Sequence, residues 1–349
     1  MNLDLPSKLC SKDCSLERDE SLFLSALHCR NFHARPPVWI MRQAGRYLPS
    51  YQKIRRIHSL KEMFSSPELI ETITCLPVDE LGVDAAILFA DILHVVLPLG
   101  VTVDFPKTGG PAVSPLIRSR EHLNQLTASP VEETLNFVAT GITRLKSRLR
   151  CPLIGFCGGP FTIAYYLTGK QPKPWLYRDP DGFHLLLDRI TQATIMYLKL
   201  QLAAGVDVLQ IFDSCVHFLS KPQFKIFAVP YLKRILQAFP DVPVILFCRG
   251  SALFIDELSR LQPQGVGVDF SDSLVDLRRR MPPSMAIQGN FDPELLYADP
   301  AIIKKQVATT LIQMAYDPGF IVNLGHGILP DTPVAHVRTL IDTVKTQVV

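Results

Sequence analysis

The sequence predicts a single (β/α)8 barrel of the TIM type, an α/β fold with its active site at the C-terminal ends of the strands. Three observations predict it. Short, unalternating apolar runs recur along all 349 residues. Segments with helical periodicity and capping signals separate them. Residues able to do chemistry stand directly after the runs, where barrel enzymes carry their sites.

The runs are Val38–Met41, Ala85–Phe89, Leu153–Phe156, Val208–Phe212, Val244–Cys248, Gly265–Phe270, Ala286–Gly289 and Phe320–Leu324. Each is a short run without alternation, as strands buried on both faces of a parallel sheet require. Between them, Ser66-Pro67-Glu68 opens a helix that Gly82 closes. Ser129-Pro130 opens another, with Ser129 as N-cap, Pro130 in the first turn and Glu132 placed for a capping box. Val131, Leu135, Val138, Ile142, Leu145 and Leu149 then form one helical face. Strands alternating with helices favour a closed barrel over an open doubly wound sheet. No GxGxxG follows the first strand, which weakens a dinucleotide-binding sheet. Residues 1–20 read as an N-terminal arm and residues 21–349 as one barrel domain.

Composition narrows the function classes. The formal charge is +3, from 36 basic and 33 acidic residues, too balanced for a nucleic-acid binder. Affinity for an anion must therefore come from local placement of arginine and lysine. The eight cysteines, at 10, 14, 29, 75, 151, 157, 215 and 248, include no CxxC pair and read as reduced, mostly buried thiols. The N-terminus has no apolar core of the kind a secretory signal needs. The apolar stretch from Val83 to Val103 has Asp91 and His94 near its middle. A mid-bilayer aspartate costs roughly 2.5–3.5 kcal/mol, which argues against a membrane span.

After strand one comes MRQAGRYLPSY. Arg42 and Arg46 suit either a bidentate carboxylate clamp or the capping of a helix end. After strand two, Asp91 is a lone charge in an apolar run. It is either satisfied by backbone amides or an arginine, or held in a cleft to meet N–H donors or developing positive charge. After strand three, GFCGGPFTIAYYL offers a glycine turn, a helix start at Pro160, and then Tyr165 and Tyr166. After strand four, Ser214 lacks the GxSxG context of a hydrolase nucleophile and reads as a hydrogen-bond donor or a helix cap. QGNFDP follows strand seven as a polar turn. After strand eight, His326 lies between two glycines at the rim, suited to a site residue or to a phosphate loop.

Taken together, the chain resembles the uroporphyrinogen decarboxylase family. The resemblance is carried by PVWIMRQAGRYLP at 37–49, FADIL at 89–93, GFCGGPFTIAYYL at 155–167, QIFDS at 210–214, QGNFDP at 288–293 and GHGILPDTP at 325–333, in the family's order. It spans roughly residues 20 to 345, and MRQAGR is its most specific block. It implies a cytosolic homodimer that acts on a tetrapyrrole without metal or organic cofactor; the charge balance and the Asp91 in the apolar stretch separately predict no nucleic-acid or membrane partner. It implies substrate contacts for Arg42, Gln43, Ala44, Gly45, Arg46, Asp91, Tyr166, Ser214 and His326. Arg55 matches a further basic position able to meet a propionate or acetate. Among these, Asp91, Arg42 and Tyr166 are expected to be catalytic.

Two departures from the family's pattern stand out. Gly159 replaces a common alanine and is expected to loosen its loop. Cys215-Val216-His217 replace an aromatic followed by Ala-Gly, so the loop after Ser214 is expected to be built differently. The proton donor is not assigned by the sequence. A corrinoid-linked methyltransferase on the same barrel would need a zinc-binding His-x-Cys, and none occurs. A non-catalytic tetrapyrrole carrier would keep the arginines without needing an ionised Asp91. A sugar-phosphate barrel enzyme would use the strand-eight loop but not the arginine pair.

Overall fold

A computed structural model describes residues 21–32, 35–106 and 110–346. The expected arm, residues 1–20, lies outside the described residues. The strands are β1 (Ala86–Ile87), β2 (Thr102–Asp104), β3 (Ala112–Ser114), β4 (Leu153–Gly158), β5 (Val208–Phe212), β6 (Val244–Phe247), β7 (Gly265–Gly267), β8 (Ala286–Phe291) and β9 (Phe320–Leu324). Seven form one curled parallel sheet in the order β1-β4-β5-β6-β7-β8-β9. Seven of the expected runs thus become barrel strands, with ends shifted by a few residues.

The remaining run, Val38–Met41, closes the barrel without becoming a regular strand. Trp39 N donates to Val322 O (3.3 Å), Val322 N to Pro37 O (2.9 Å), and Asp84 N to Val38 O (2.8 Å). The segment therefore bonds to β9 on one side and to the chain entering β1 on the other. A ladder cannot grow because side chains take three of the four amides from Val38 to Met41. Val38 N donates to Asp84 Oδ2 (2.8 Å), Ile40 N to Gln43 Oε1 (3.1 Å) and Met41 N to Asn323 Oδ1 (2.8 Å). Arg35 holds Asp84 in place with two bonds of 2.8 Å.

Inside the barrel, Trp39 Nε1 donates to Gln288 Oε1 (2.9 Å). Gln210 lies next to Gln288, and all three side chains are buried. Phe212 is two residues beyond Gln210 and so shares its face. It meets Phe156 and Phe247 edge to face at 5.6 and 5.8 Å. These rings floor the C-terminal mouth of the barrel with apolar surface.

The helix Pro67–Leu81 starts and stops as expected. Ser66 Oγ accepts from Leu69 N, and Gly82 ends it in the left-handed conformation, φ +66°. The next expectation needs correction. Ser129 is not an N-cap: its amide donates to Pro98 O (2.9 Å), which pulls it out of the helix. Pro130 occupies the cap without a side-chain bond, no capping box forms at Glu132, and the helix breaks at Leu135 into Val131–Thr134 and Asn136–Arg148. The apolar face is nevertheless correct, because Val131, Leu135, Val138, Ile142 and Leu145 are buried. The stretch 83–103 forms β1, a turn and a short 3-10 helix (His94–Leu99) rather than a span. Among the described residues no helix is long and apolar enough to cross a membrane.

Candidate active site

The chain turns sharply after Met41. Arg42 adopts φ +64°, a left-handed conformation that costs a residue with a side chain about 1–2 kcal/mol. The turn places its guanidinium stem against the bare backbone of Gly327: a methyl group there would overlap Arg42 Cδ and lie 2.8 Å from Nε. Ile328 N donates to Met41 O (2.9 Å), joining this turn to the loop that carries His326. Strand-one and strand-eight chemistry therefore meet at one point.

Asp91 ends the segment after β1, and its Oδ1 accepts from Leu93 N (2.9 Å). Burial lifts its pKa from 3.8 to about 6, against the opposing pull of the Leu93 amide and of the Arg42 charge. Tyr166, half-buried on the helix Pro160–Leu167, is held above its ordinary pKa first by burial and then by Cys215 and Asp91. Its hydroxyl thus stays protonated. His326 is driven down to about 4 by burial, then by Arg42 and Arg249, so it is a neutral imidazole at neutral pH. Arg42 thus acts electrostatically on Asp91, Tyr166 and His326 alike.

Arg46 and Arg55 lie to one side. They line a cavity of about 360 Å³ with Tyr51, Gln52, Arg56, Pro330 and Asp331. A second cavity of about 270 Å³ lies beyond Tyr166, where Lys170 and the β2–β3 hairpin contribute walls. Ser214 opens a short 3-10 turn, Ser214–Phe218. His217 Nδ1 lies 2.7 Å from Ser214 O, and no residue of the turn needs positive φ. The turn is therefore built without a glycine.

Two readings change. Gln43 is fully buried, and its amide braces the turn from behind, with Oε1 on Ile40 N and Nε2 on Ala85 O (3.1 Å each). Its side chain supports the site rather than lining it. Ala44 and Gly45 are partly exposed backbone between the two arginines. Gly159 does not loosen its loop, because a Cβ there would overlap the Asp213 side chain.

Two further residues escaped the sequence. Arg249 follows β6, is exposed, and acts electrostatically on both His326 and Cys215. Its loop is pinned by buried Asp269, which accepts from Gly250 N (2.7 Å) and Ser251 Oγ (2.9 Å). The strand-end rule that found Asp91 points equally to Arg249. The other, read in the sequence only as part of QIFDS, is Asp213, buried at the end of β5. Among the described residues, no cluster of three or more His, Cys, Asp or Glu side chains is placed to hold a metal ion.

The family model described as uroporphyrinogen decarboxylase (URO-D) matches residues 18–347. The chain belongs to the uroporphyrinogen decarboxylase family. Among curated relatives, the uroporphyrinogen decarboxylase of Protochlamydia amoebophila is 44% identical over 97% of this chain and 95% of its own. That of Chlorobium limicola is 37% identical over 93% and 97%. Among solved structures, a methyltransferase from Methanosarcina mazei superposes with a TM-score of 0.79 at 21% identity, covering 93% of this chain and 98% of that one. A B12-independent methionine synthase from Shewanella gives a TM-score of 0.55 at 12% identity, covering 82% and 87%. The structural likenesses extend to the barrel; family membership rests on the sequence relatives.

Proposed function

We propose that this chain decarboxylates the four acetate side chains of uroporphyrinogen III to methyl groups, giving coproporphyrinogen III, as a carboxy-lyase of porphyrin and haem biosynthesis. The observation that carries the reading is Asp91. A carboxylate whose pKa burial has raised to about 6 follows β1 and is coupled to Arg42, the same arginine that acts on Tyr166 and on the neutral His326.

The chemistry suits that arrangement. Decarboxylation must send an electron pair somewhere, and a pyrrole can accept it. A proton adds to the ring carbon beside nitrogen and makes a cation. The bond to the carboxylate breaks, CO2 leaves, and the electron pair flows into the ring to form an exocyclic methylene. A second proton converts that methylene to methyl, and loss of the ring proton restores the pyrrole. No cofactor is needed as the sink.

Asp91 accepts pyrrole N–H groups and stabilises the cation. At ~4 Å and an effective dielectric of ~20, such a pair gains ~4 kcal/mol. Because the carboxylate is already in place, this is preorganised electrostatic stabilisation. Arg42 and the Tyr166 hydroxyl hold the departing carboxylate, and His326 and Ser214 offer hydrogen bonds. Arg46 and Arg55, with the Ala44–Gly45 backbone, receive rim carboxylates on one wall. Residues 21–349 act as one barrel domain, as a homodimer in the cytosol. Replacing Asp91 with Asn tests the reading. Turnover of reduced uroporphyrinogen should fall by at least about a hundredfold, in line with losing a preorganised electrostatic partner. Wild-type-like turnover in that variant would remove Asp91 from the chemistry.

A further inference from the structure

Asp213 sits at the end of β5, one residue before Ser214, and is 1% exposed. Its Oδ1 accepts two hydrogen bonds from one residue, Thr162 N and Thr162 Oγ1, both at 2.7 Å. Thr162 belongs to the first turn of the helix Pro160–Leu167, whose N-cap is Gly159 and has no side chain with which to cap it. The carboxylate does the capping from a different strand. Having donated its proton to Asp213, the Thr162 hydroxyl accepts one from Cys215 N at 2.9 Å. Gly159 N donates to Phe212 O (2.9 Å) and completes the join.

The consequences fall on two site residues at once. Tyr166 is four residues after Thr162 and so lies on the same helical face. Ser214 lies between Asp213 and Cys215, and both of these neighbours are tied to Thr162. The arrangement is expensive. Oδ2 of Asp213 is buried without a partner, and burial raises the carboxyl to about 6. Gly159 must also stay bare, since a Cβ would lie 2.8 Å from that same Oδ2 and overlap the rest of the side chain. Helix capping alone does not require this. An ordinary Ser, Thr or Asp at position 159 would cap the helix locally. A link to the next strand is what the local cap cannot supply.

We propose that Asp213, acting through Thr162, is a positioning residue that fixes the Ser214 turn against the Tyr166 helix and so sets the spacing of these two groups for substrate. The inference rests on the decarboxylase reading for what Tyr166 and Ser214 touch.

A double-mutant cycle tests it. Thr162→Val keeps the amide bond to Asp213 but loses both bonds of the hydroxyl. It should lower kcat/KM for uroporphyrinogen about tenfold, while Thr162→Ser stays within about twofold. In a Ser214→Ala background the Thr162→Val effect should shrink below about threefold, because the group being positioned is gone. Equal factors in both backgrounds, or no effect in the single variant, would overturn the proposal. Hydrogen exchange at the Cys215 amide provides an arm independent of turnover. It should accelerate in Thr162→Val and not in Thr162→Ser, and unchanged exchange overturns the clamp. Should the unmodified chain fail to decarboxylate, the functional reading falls, while the exchange arm still decides whether the clamp exists.

Discussion

Burial gives Asp91 opposite effects on stability and on activity. Its folded-state pKa, about 6, lies above the ordinary 3.8. Between those values the folded chain binds more protons than the unfolded one, so stability falls as pH rises from about 4 to 6. Above pH 6 the folded state carries an ionised carboxylate at a net cost. Asp91→Asn removes that cost and keeps an acceptor for Leu93 N. Its thermal midpoint at pH 7 should equal or exceed wild type even as turnover disappears. A clear drop in midpoint would mark Asp91 as a structural carboxylate instead. Gly327 makes a second case at this scale. A methyl group there displaces the Arg42 stem, the movable part of a flexible side chain. Gly327→Ala should therefore lower kcat/KM by at least about tenfold, with little change in melting. An unchanged kcat/KM would place Arg42 outside the reaction. Arg42, Asp91 and His326 were legible because each is an odd residue directly after an apolar run. The burial of the Gln43 side chain was not legible, because one-dimensional spacing cannot tell which side of a sharp turn a side chain takes. Asp213 was legible only as part of a motif, since its partner Thr162 is 51 positions away.

At the scale of elements, the barrel closes where its strand is least regular. Pro36 and Pro37 cannot donate to a ladder, and the amides of Val38, Ile40 and Met41 are taken by Asp84, Gln43 and Asn323 side chains. Closure thus combines three backbone bonds with three side-chain acceptors in place of a full ladder. Asp84→Ala leaves the buried Val38 amide without its acceptor and should cost about 2 kcal/mol of unfolding free energy. Asp84→Asn keeps an acceptor and should cost less. Denaturant titration separates them, and equal stability of both with wild type would show that closure does not rely on Asp84. The positions of the runs were readable because buried parallel strands are uniformly apolar. The hairpin β2–β3 was not, since three-residue strands on the rim leave almost no period to detect. The break at Leu135 was missed for a related reason. Its cause, the Ser129 amide bonded to Pro98, is a tertiary contact that overrides a good local start signal.

Across the whole molecule, a nearly neutral chain places several arginines in the segments that follow its strands. Arg46, Arg55 and Arg56 line one cavity on the strand-one side, in the segment that begins with Arg42. Arg249 stands at the end of β6. In the order β1-β4-β5-β6-β7-β8-β9, closed by the Val38 segment, β6 lies opposite that segment. A ligand whose carboxylates point outward all round its rim fits such a mouth better than one with a single anionic end. The ring arrangement was beyond the sequence, because the alternation of elements indicates a barrel but does not say which loops face each other. The direct test is to incubate the purified chain anaerobically with reduced uroporphyrinogen III and no added cofactor. The products are then oxidised and the porphyrins separated by carboxyl number. The account predicts stepwise conversion from eight carboxyls to four. No change in carboxyl number, with an active relative converting the same substrate alongside, would contradict it.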